Sequence, residues 1–233
     1  MREIVLDTET TGFDPETGDR VVEIGCVELN FHVPTGNEYH CYINPERDMP
    51  EGAFGVHGLS EEFLSDKPVF ADIVDDFLEF IGDDAALVIH NASFDSKFLN
   101  AELKWLNRPP LPEVRLIDTL EIARRRFPGG ANSLDALCRR FDVDLSVRDK
   151  HGALVDCQLL AAVYLELIGG RQPGLSLVAD AQDTSKTQNR PDSGQIAQIS
   201  REFRPARPHT ASEAEKAAHA AFVDGLKEPI WRS

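Results

Sequence analysis

The chain has 233 residues, 42% of them hydrophobic, and a formal net charge of −16. That length allows one domain of ordinary size plus an appendage, and the hydrophobic share is enough for a core. The acidity excludes loose attachment to nucleic acid or to an anionic membrane, but not an enzyme that meets its substrate through metal ions.

Four cysteines, Cys26, Cys41, Cys138 and Cys157, are scattered without a Cys-x-x-Cys pair. A thiolate metal framework is therefore not expected, and a reducing compartment is. No basic-then-apolar leader opens the sequence, and no apolar run approaches the ~18 residues of a membrane span. The expected location is the cytoplasm, with no membrane partner.

In chain order, Ile4-Val5-Leu6 reads as a short buried strand that leads into Asp7-Thr8-Glu9-Thr10-Thr11-Gly12. Phe13 to Arg20 is polar and turn-rich. Val21 to Leu29 alternates and is rich in valine and isoleucine, which predicts a second strand. Pro34-Thr35-Gly36-Asn37 predicts a turn, and Glu38 to Ile43 a third strand. Connections this short imply an antiparallel meander. Asn44 to His57, with two prolines and two glycines, is expected to be irregular.

Phe70, Ile73, Val74, Phe77, Leu78 and Ile81 recur at helical spacing, which predicts a helix over 69–81 stopped by Gly82. Ala85 to Ile89 predicts a buried strand, followed by a helix to about Leu106. Arg115 to Ile117 is a short strand, with Asp118 as cap of the next helix. Asn132-Ser133 opens a helix through Phe141. Asp149 to Gly152 is a polar loop, and Ala153 to Ile168 a long helix closed by Gly169-Gly170. A meander followed by alternating helix and strand predicts an α/β sheet with helices on its faces.

Five residues are candidates for chemistry. Asp7 and Glu9 sit two apart on a strand, so their carboxylates share a face and repel unless a cation lies between them. All-oxygen ligands suit Mg²⁺ or Mn²⁺ rather than zinc. Asp95 lies just past a strand end, where open α/β sheets bind ligands. Asp156 borders the apolar face of the last long helix, a costly place for an unpaired acid. His151 precedes it by five residues, about 140° round a continuous helix, and is better placed on the loop before it. Taken singly, Asp95 reads equally as a helix cap, Asp156 as a helix-dipole partner and His151 as an exposed loop residue.

Together, Asp7-Thr8-Glu9-Thr10-Thr11-Gly12, Asn91-Ala92-Ser93-Phe94-Asp95 and His151-Gly152-Ala153-Leu154-Val155-Asp156 resemble the three motifs of the DnaQ-like exonuclease superfamily. The His-x₄-Asp spacing is that of its histidine-containing branch. Arg115 to Leu120 and Asn132 to Leu137 also resemble its proofreading members. The resemblance runs from about residue 3 to 178. It implies a ribonuclease H-like fold, a mixed five-stranded sheet with an antiparallel meander then parallel strands. It also implies 3′→5′ exonucleolysis with two divalent cations.

What the resemblance implies for residues is specific. Asp7 bridges both ions, Glu9 and Asp156 complete the ion that holds the attacking water, and Asp95 supports the second. His151 takes the water's proton; an ordinary histidine pKa of roughly 6.5 suits that task. Thr10, Thr11, Gly12 and Phe13, with His57 and Asn91, contact the 3′-terminal nucleotide of the DNA. Two rival expectations remain open: an RNA-trimming exonuclease of the same superfamily, and a catalytically silent adaptor of the same fold. The runs Arg124-Arg125-Arg126 and Arg139-Arg140 read as solvated helix faces rather than phosphate contacts.

Beyond the last helix, Gln172, Leu175 and Leu177 have the spacing of a peptide that binds a sliding clamp. Residues 180–210 are polar and aperiodic and read as a linker without fixed structure. Residues 211–233 regain helical character, with Phe222, Leu226 and Trp231 as apolar anchors for the catalytic (alpha) subunit of a polymerase. The expected division is thus an exonuclease domain over 1–179, a linker over 180–210, and a polymerase-binding helix and tail over 211–233. Residues 181–233 hold 8 Lys and Arg against 7 Asp and Glu, so a net −17 falls on residues 1–180.

Overall fold

A computed structural model of the chain describes residues 1–146, 150–170 and 211–225. The chain divides into two units, Met1–Ala179 and Asp180–Ser233. The expected linker over 180–210, the clamp-like residues Gln172, Leu175 and Leu177, and the anchors Leu226 and Trp231 lie outside the described residues.

In the first unit, β1 (Arg2–Thr10), β2 (Val21–Asn30) and β3 (Val33–Tyr42) form the antiparallel meander. β4 (Ala86–Ile89) lies parallel to β1, and β5 (Leu116–Asp118) parallel to β4. The sheet order is β3-β2-β1-β4-β5, the mixed five-stranded sheet that the resemblance implies.

Alternation along β1 assigns the two layers. Ile4 and Leu6 point into a core with Phe70, Phe77 and Phe98, supplied by α3 (Phe70–Ile81) and α4 (Ala92–Trp105). Val5 points the other way, into a core with Val27, Val88, Leu160 and Tyr164, the last two on α7 (Ala153–Leu167). The odd-numbered acids of β1 therefore share the face that α7 covers. A third cluster packs Leu159, Val163 and Leu167 of α7 against α5 (Thr119–Arg126) and α6 (Leu134–Arg140). This is why α7 is apolar on more than one stripe.

The first hairpin corrects the sequence expectation. Its turn is Phe31-His32, both with positive φ (49° and 65°), not Pro34 to Asn37. Two left-handed residues suit the right-handed twist of a two-residue hairpin, a geometry that Asn-Gly usually signals. Here tertiary bonds hold it: His32 donates its backbone N–H to Glu3, and its Nδ1 lies 3.0 Å from the same carboxylate. Pro34 to Asn37 instead lie within β3. The ladder passes from Val27↔Glu38 to Leu29↔Pro34, leaving Thr35 to Asn37 as an irregularity. Thr35 Oγ1 and Asn37 Nδ2 clip it to the Glu28 carboxylate at 2.8 and 2.7 Å.

A second correction concerns the segment expected to be irregular up to His57. Glu51–His57 forms a helix, α1, closed by Gly58 at φ 74°. Two internal glycines lower its propensity, so the sequence alone hid it. A short α2 (Glu61–Leu64) follows, capped by Ser60.

The arginine runs also do more than face solvent. Arg126 donates to the Leu167 carbonyl at 2.9 Å and so caps α7, while Arg140 stacks on Phe127. In the second unit, α8 (Glu213–Asp224) opens with a capping box of Ser212 and Glu215.

Candidate active site

Three elements bring the acids together at one end of the sheet. Asp7 and Glu9 lie near the C-terminal end of β1, where the ladder to β2 shifts between Glu9 and Thr10. Asp7 pairs with Gly25 on β2. A Cβ at Gly25 would stand 2.4–2.5 Å from the backbone of Ala153 and Leu154. Only glycine lets the first turn of α7 rest on the strand, and that turn carries Asp156.

Asp95 arrives from the other layer, in the first turn of α4. Its Oδ1 accepts from the Thr8 backbone N–H at 3.0 Å and from Thr8 Oγ1 at 2.7 Å. Asn91 precedes it in the left-handed region (φ 71°), with its N–H bonded to Asp118, which also caps α5. His151 lies on the loop before α7, as its spacing predicted, with Nδ1 3.2 Å from Asp156 Oδ2.

The electrostatics are those of acids crowded away from water. Burial raises the Asp7 pKa well above the usual carboxylate value, and Asp95, Glu9, Asp156 and Glu23 push it further. Burial lifts Asp95 to about 7, although the bonds from Thr8 pull it down. The buried Cys157 thiol is also held protonated, first by burial and then by Asp7. Such a cluster favours a cation over bare ionised carboxylates.

The donor set fits one. Ligand atoms of Glu9, Asp156 and His151 all lie within 4.8 Å of one another. Oxygen donors dominate, and the nearby thiol is engaged elsewhere, Cys157 Sγ donating to the Gly25 carbonyl. Hard divalent cations suit that chemistry.

Beside the acids opens a cleft of about 630 Å³. Glu9, Thr10, Thr11, Gly12 and Phe13 form one wall, and Val56 and His57 of α1 another. Phe13 projects into solvent, 86% exposed, at the rim. His57 is buried; its Nδ1 accepts from Leu59 N–H, which puts the ring proton on Nε2. Burial lowers its pKa, against the opposing pull of Glu23 and the Thr10 backbone. Asn91, the remaining candidate contact, is exposed at the N-cap of α4 and outside the lining of this cleft.

Sequence reasoning missed Asp19, Pro50, Ala53 and Phe94, which also line the cleft. Phe94 stood within a quoted motif, next to Asp95. Asp19 had no signal, because its role depends on a turn that brings it back to Gly12.

Known proteins similar to this chain are numerous. Residues 4–164 match the RNase T exonuclease family. The DNA polymerase III epsilon subunit of Rickettsia felis is 56% identical over 188 residues, covering 79% of this chain and 82% of that protein. That of Escherichia coli K12 is 41% identical over 244 residues, covering 100% and 98%. Among solved structures, exonuclease X bound to 5′-overhanging duplex DNA superposes with a TM-score of 0.58 at 27% identity, over 71% of this chain and 90% of that one. The nuclease domain of 3′hExo, a DEDDh family member bound to rAMP, shares the fold with a TM-score of 0.61 at 18% identity, over 72% and 91%. The chain belongs to the RNase T family of exonucleases, among the DNA polymerase III epsilon subunits.

Proposed function

We propose that this chain is a proofreading 3′→5′ exonuclease that removes mispaired 3′-terminal nucleotides from DNA and releases nucleoside 5′-monophosphates. The observation that carries the reading is the meeting of Asp7, Glu9, Asp95 and Asp156, from three elements, beside a cleft of nucleotide size. Two divalent cations, Mg²⁺ or Mn²⁺, would supply charge neutralisation at the phosphate and activation of the attacking water.

Asp7 lies centrally and would hold both ions. Glu9 and Asp156 would complete the one beside the attacking water, and Asp95 the other. His151 would accept the proton of that water. Asp156, 3.2 Å from its Nδ1, would orient the ring and favour its protonated form. Thr10, Thr11, Gly12 and Phe13 would take the terminal nucleotide, Phe13 against a base and His57 from the opposite wall.

The polymerase is the partner that would present the 3′ end. With −17 on residues 1–180, the catalytic unit should hold DNA weakly alone. On α8, Phe222 is 65% exposed and flanked by the exposed Ala221 and Ala217, an apolar stripe suited to docking on the alpha subunit. Gln172, Leu175 and Leu177 would bind a sliding clamp, and alanine at Gln172 and Leu175 should then abolish co-elution with it.

The deciding experiment offers end-labelled single-stranded DNA, mispaired duplex and RNA with Mg²⁺ or Mn²⁺. Mononucleotide release from the 3′ end of the two DNA substrates is expected. Preference for RNA, or no release from any substrate, overturns the reading.

A further inference from the structure

The turn that walls the cleft is shaped by two residues outside the three motifs. Asp19 stands directly behind Gly12: a Cβ on Gly12 would lie 2.2–2.6 Å from its carboxylate. Its Oδ1 accepts from Thr11 Oγ1 at 3.2 Å, and its Oδ2 from the Asp14 N–H at 3.2 Å. One carboxylate thus ties both ends of the Thr11–Asp14 turn. The Thr11 hydroxyl accepts in turn from the Arg20 N–H at 3.0 Å.

Asp19 is itself held. Arg47, from the segment between β3 and α1, donates to Asp19 Oδ1 at 2.9 Å and also to the Gly18 carbonyl. On the other side, Lys97 of α4 reaches Asp14 Oδ1 at 2.7 Å. The turn is therefore suspended from both flanks of the cleft, and its geometry depends on a charged pair of which Asp19 is mostly buried. Charge-assisted bonds of this kind are about twice as strong as neutral ones.

We infer that Asp19, fixed by Arg47, is a positioning residue that holds the Thr10–Asp14 turn in its nucleotide-binding shape, and so sets affinity for the 3′-terminal nucleotide. This rests on the proposed function. Neither residue reaches the acids, so the chemical step should be nearly indifferent to them. Loss of the pair should act on substrate binding, as loss of pre-organisation does.

The test uses the full chain and a short single-stranded oligodeoxynucleotide. Asp19→Asn keeps the size of the side chain but offers its amide as a second donor toward the Asp14 N–H, or surrenders the Thr11 and Arg47 bonds. A charged hydrogen bond lost is worth about tenfold or more in binding. KM should therefore rise by about tenfold with kcat changed less than about threefold. Arg47→Ala, at a partly exposed site, should raise KM similarly with the parent's melting transition retained, and Arg47→Lys should recover part of it. The double variant should be no worse than the worse single one, because both act through one contact. Calorimetric titration with dTMP and Mn²⁺ should show weaker nucleotide binding but unchanged Mn²⁺ binding.

Equal KM in the Arg47→Ala variant, additive effects in the double variant, or a fall in kcat with KM unchanged would overturn the inference while leaving the exonuclease reading intact. A parent chain that releases no mononucleotide would overturn both.

Discussion

The first unit carries two kinds of buried carboxylate. Glu3, with no exposed surface, takes the backbone N–H of His32, its Nδ1, and the hydroxyl of Tyr164 at 2.8 Å. Glu102 takes both arms of the Arg20 guanidinium, at 2.7 and 2.9 Å, and the Val21 N–H. Each of these is closed by partners the fold itself supplies. By contrast, the charges that act on Asp7 are Asp95, Glu9, Asp156 and Glu23, all acids. The first kind ties strands to helices. The second leaves a charge deficit for something from outside to fill.

The largest expected effect separates the two kinds outright. Asp7→Ala should cut nucleotide release by at least about a thousandfold, since several kcal/mol of charge stabilisation passes through this carboxylate. Metal-free thermal stability should stay equal or rise, because repulsion is relieved. Near-parental degradation rates would mean that the open cluster is not the site.

Next is His151→Ala, expected to lose roughly 10²–10⁴-fold in rate, the usual worth of a general base. Any rise of rate with pH that the parent shows through this base should vanish. Because the ring atoms also fall within ligand distance of Glu9 and Asp156, calorimetry with Mn²⁺ is the control. A large loss of metal affinity would make His151 a ligand instead.

The closed kind should respond the opposite way. Glu102→Ala leaves Arg20 unpaired and should cost about 2 kcal/mol in urea unfolding, less than a fully buried pair because Arg20 keeps contact with water. Mn²⁺ affinity should hardly change. Weakened metal binding would show that the two regions are coupled.

The last effect lies in pH. Asp95, lifted to about 7, keeps in the folded state a proton that the unfolded chain releases above about pH 4. Its contribution to metal-free stability is therefore complete below about pH 4, falls as pH rises toward 7, and is flat above. Asn at this position cannot ionise and still accepts from Thr8. Melts in EDTA should show Asp95→Asn gaining on the parent between pH 4.5 and 7.5. A variant-minus-parent stability difference that falls over that range would place the Asp95 pKa below its ordinary value.

Much of this arrangement was legible in the chain. The helical spacing from Phe70 to Ile81 and the apolar runs at β1, β2 and β4 are direct prints of burial, so the sheet and its main helices followed. The acids were legible because residues of fixed type recur in three ordered motifs. The Phe31-His32 turn was not, since its strain is offset by Glu3, 29 residues from His32. α1 was hidden by glycines that a helix ordinarily avoids, and Asp19 by a role that exists only once the turn closes. In each case the deciding partner was distant in sequence or was a backbone shape.

One consequence of the irregularity in β3 concerns the sheet's margins. β3 is the outermost strand on its side, and an outermost strand offers unpaired amides to any neighbouring copy. Thr35 to Asn37 interrupt that row, Pro34 removes a donor, and Gly36 at φ 90° bends the backbone away from an extended line. The opposite margin, β5, is only three residues long. Both rims of the sheet are thereby poor templates for strand addition, which guards a concentrated solution of this protein against edge-to-edge aggregation.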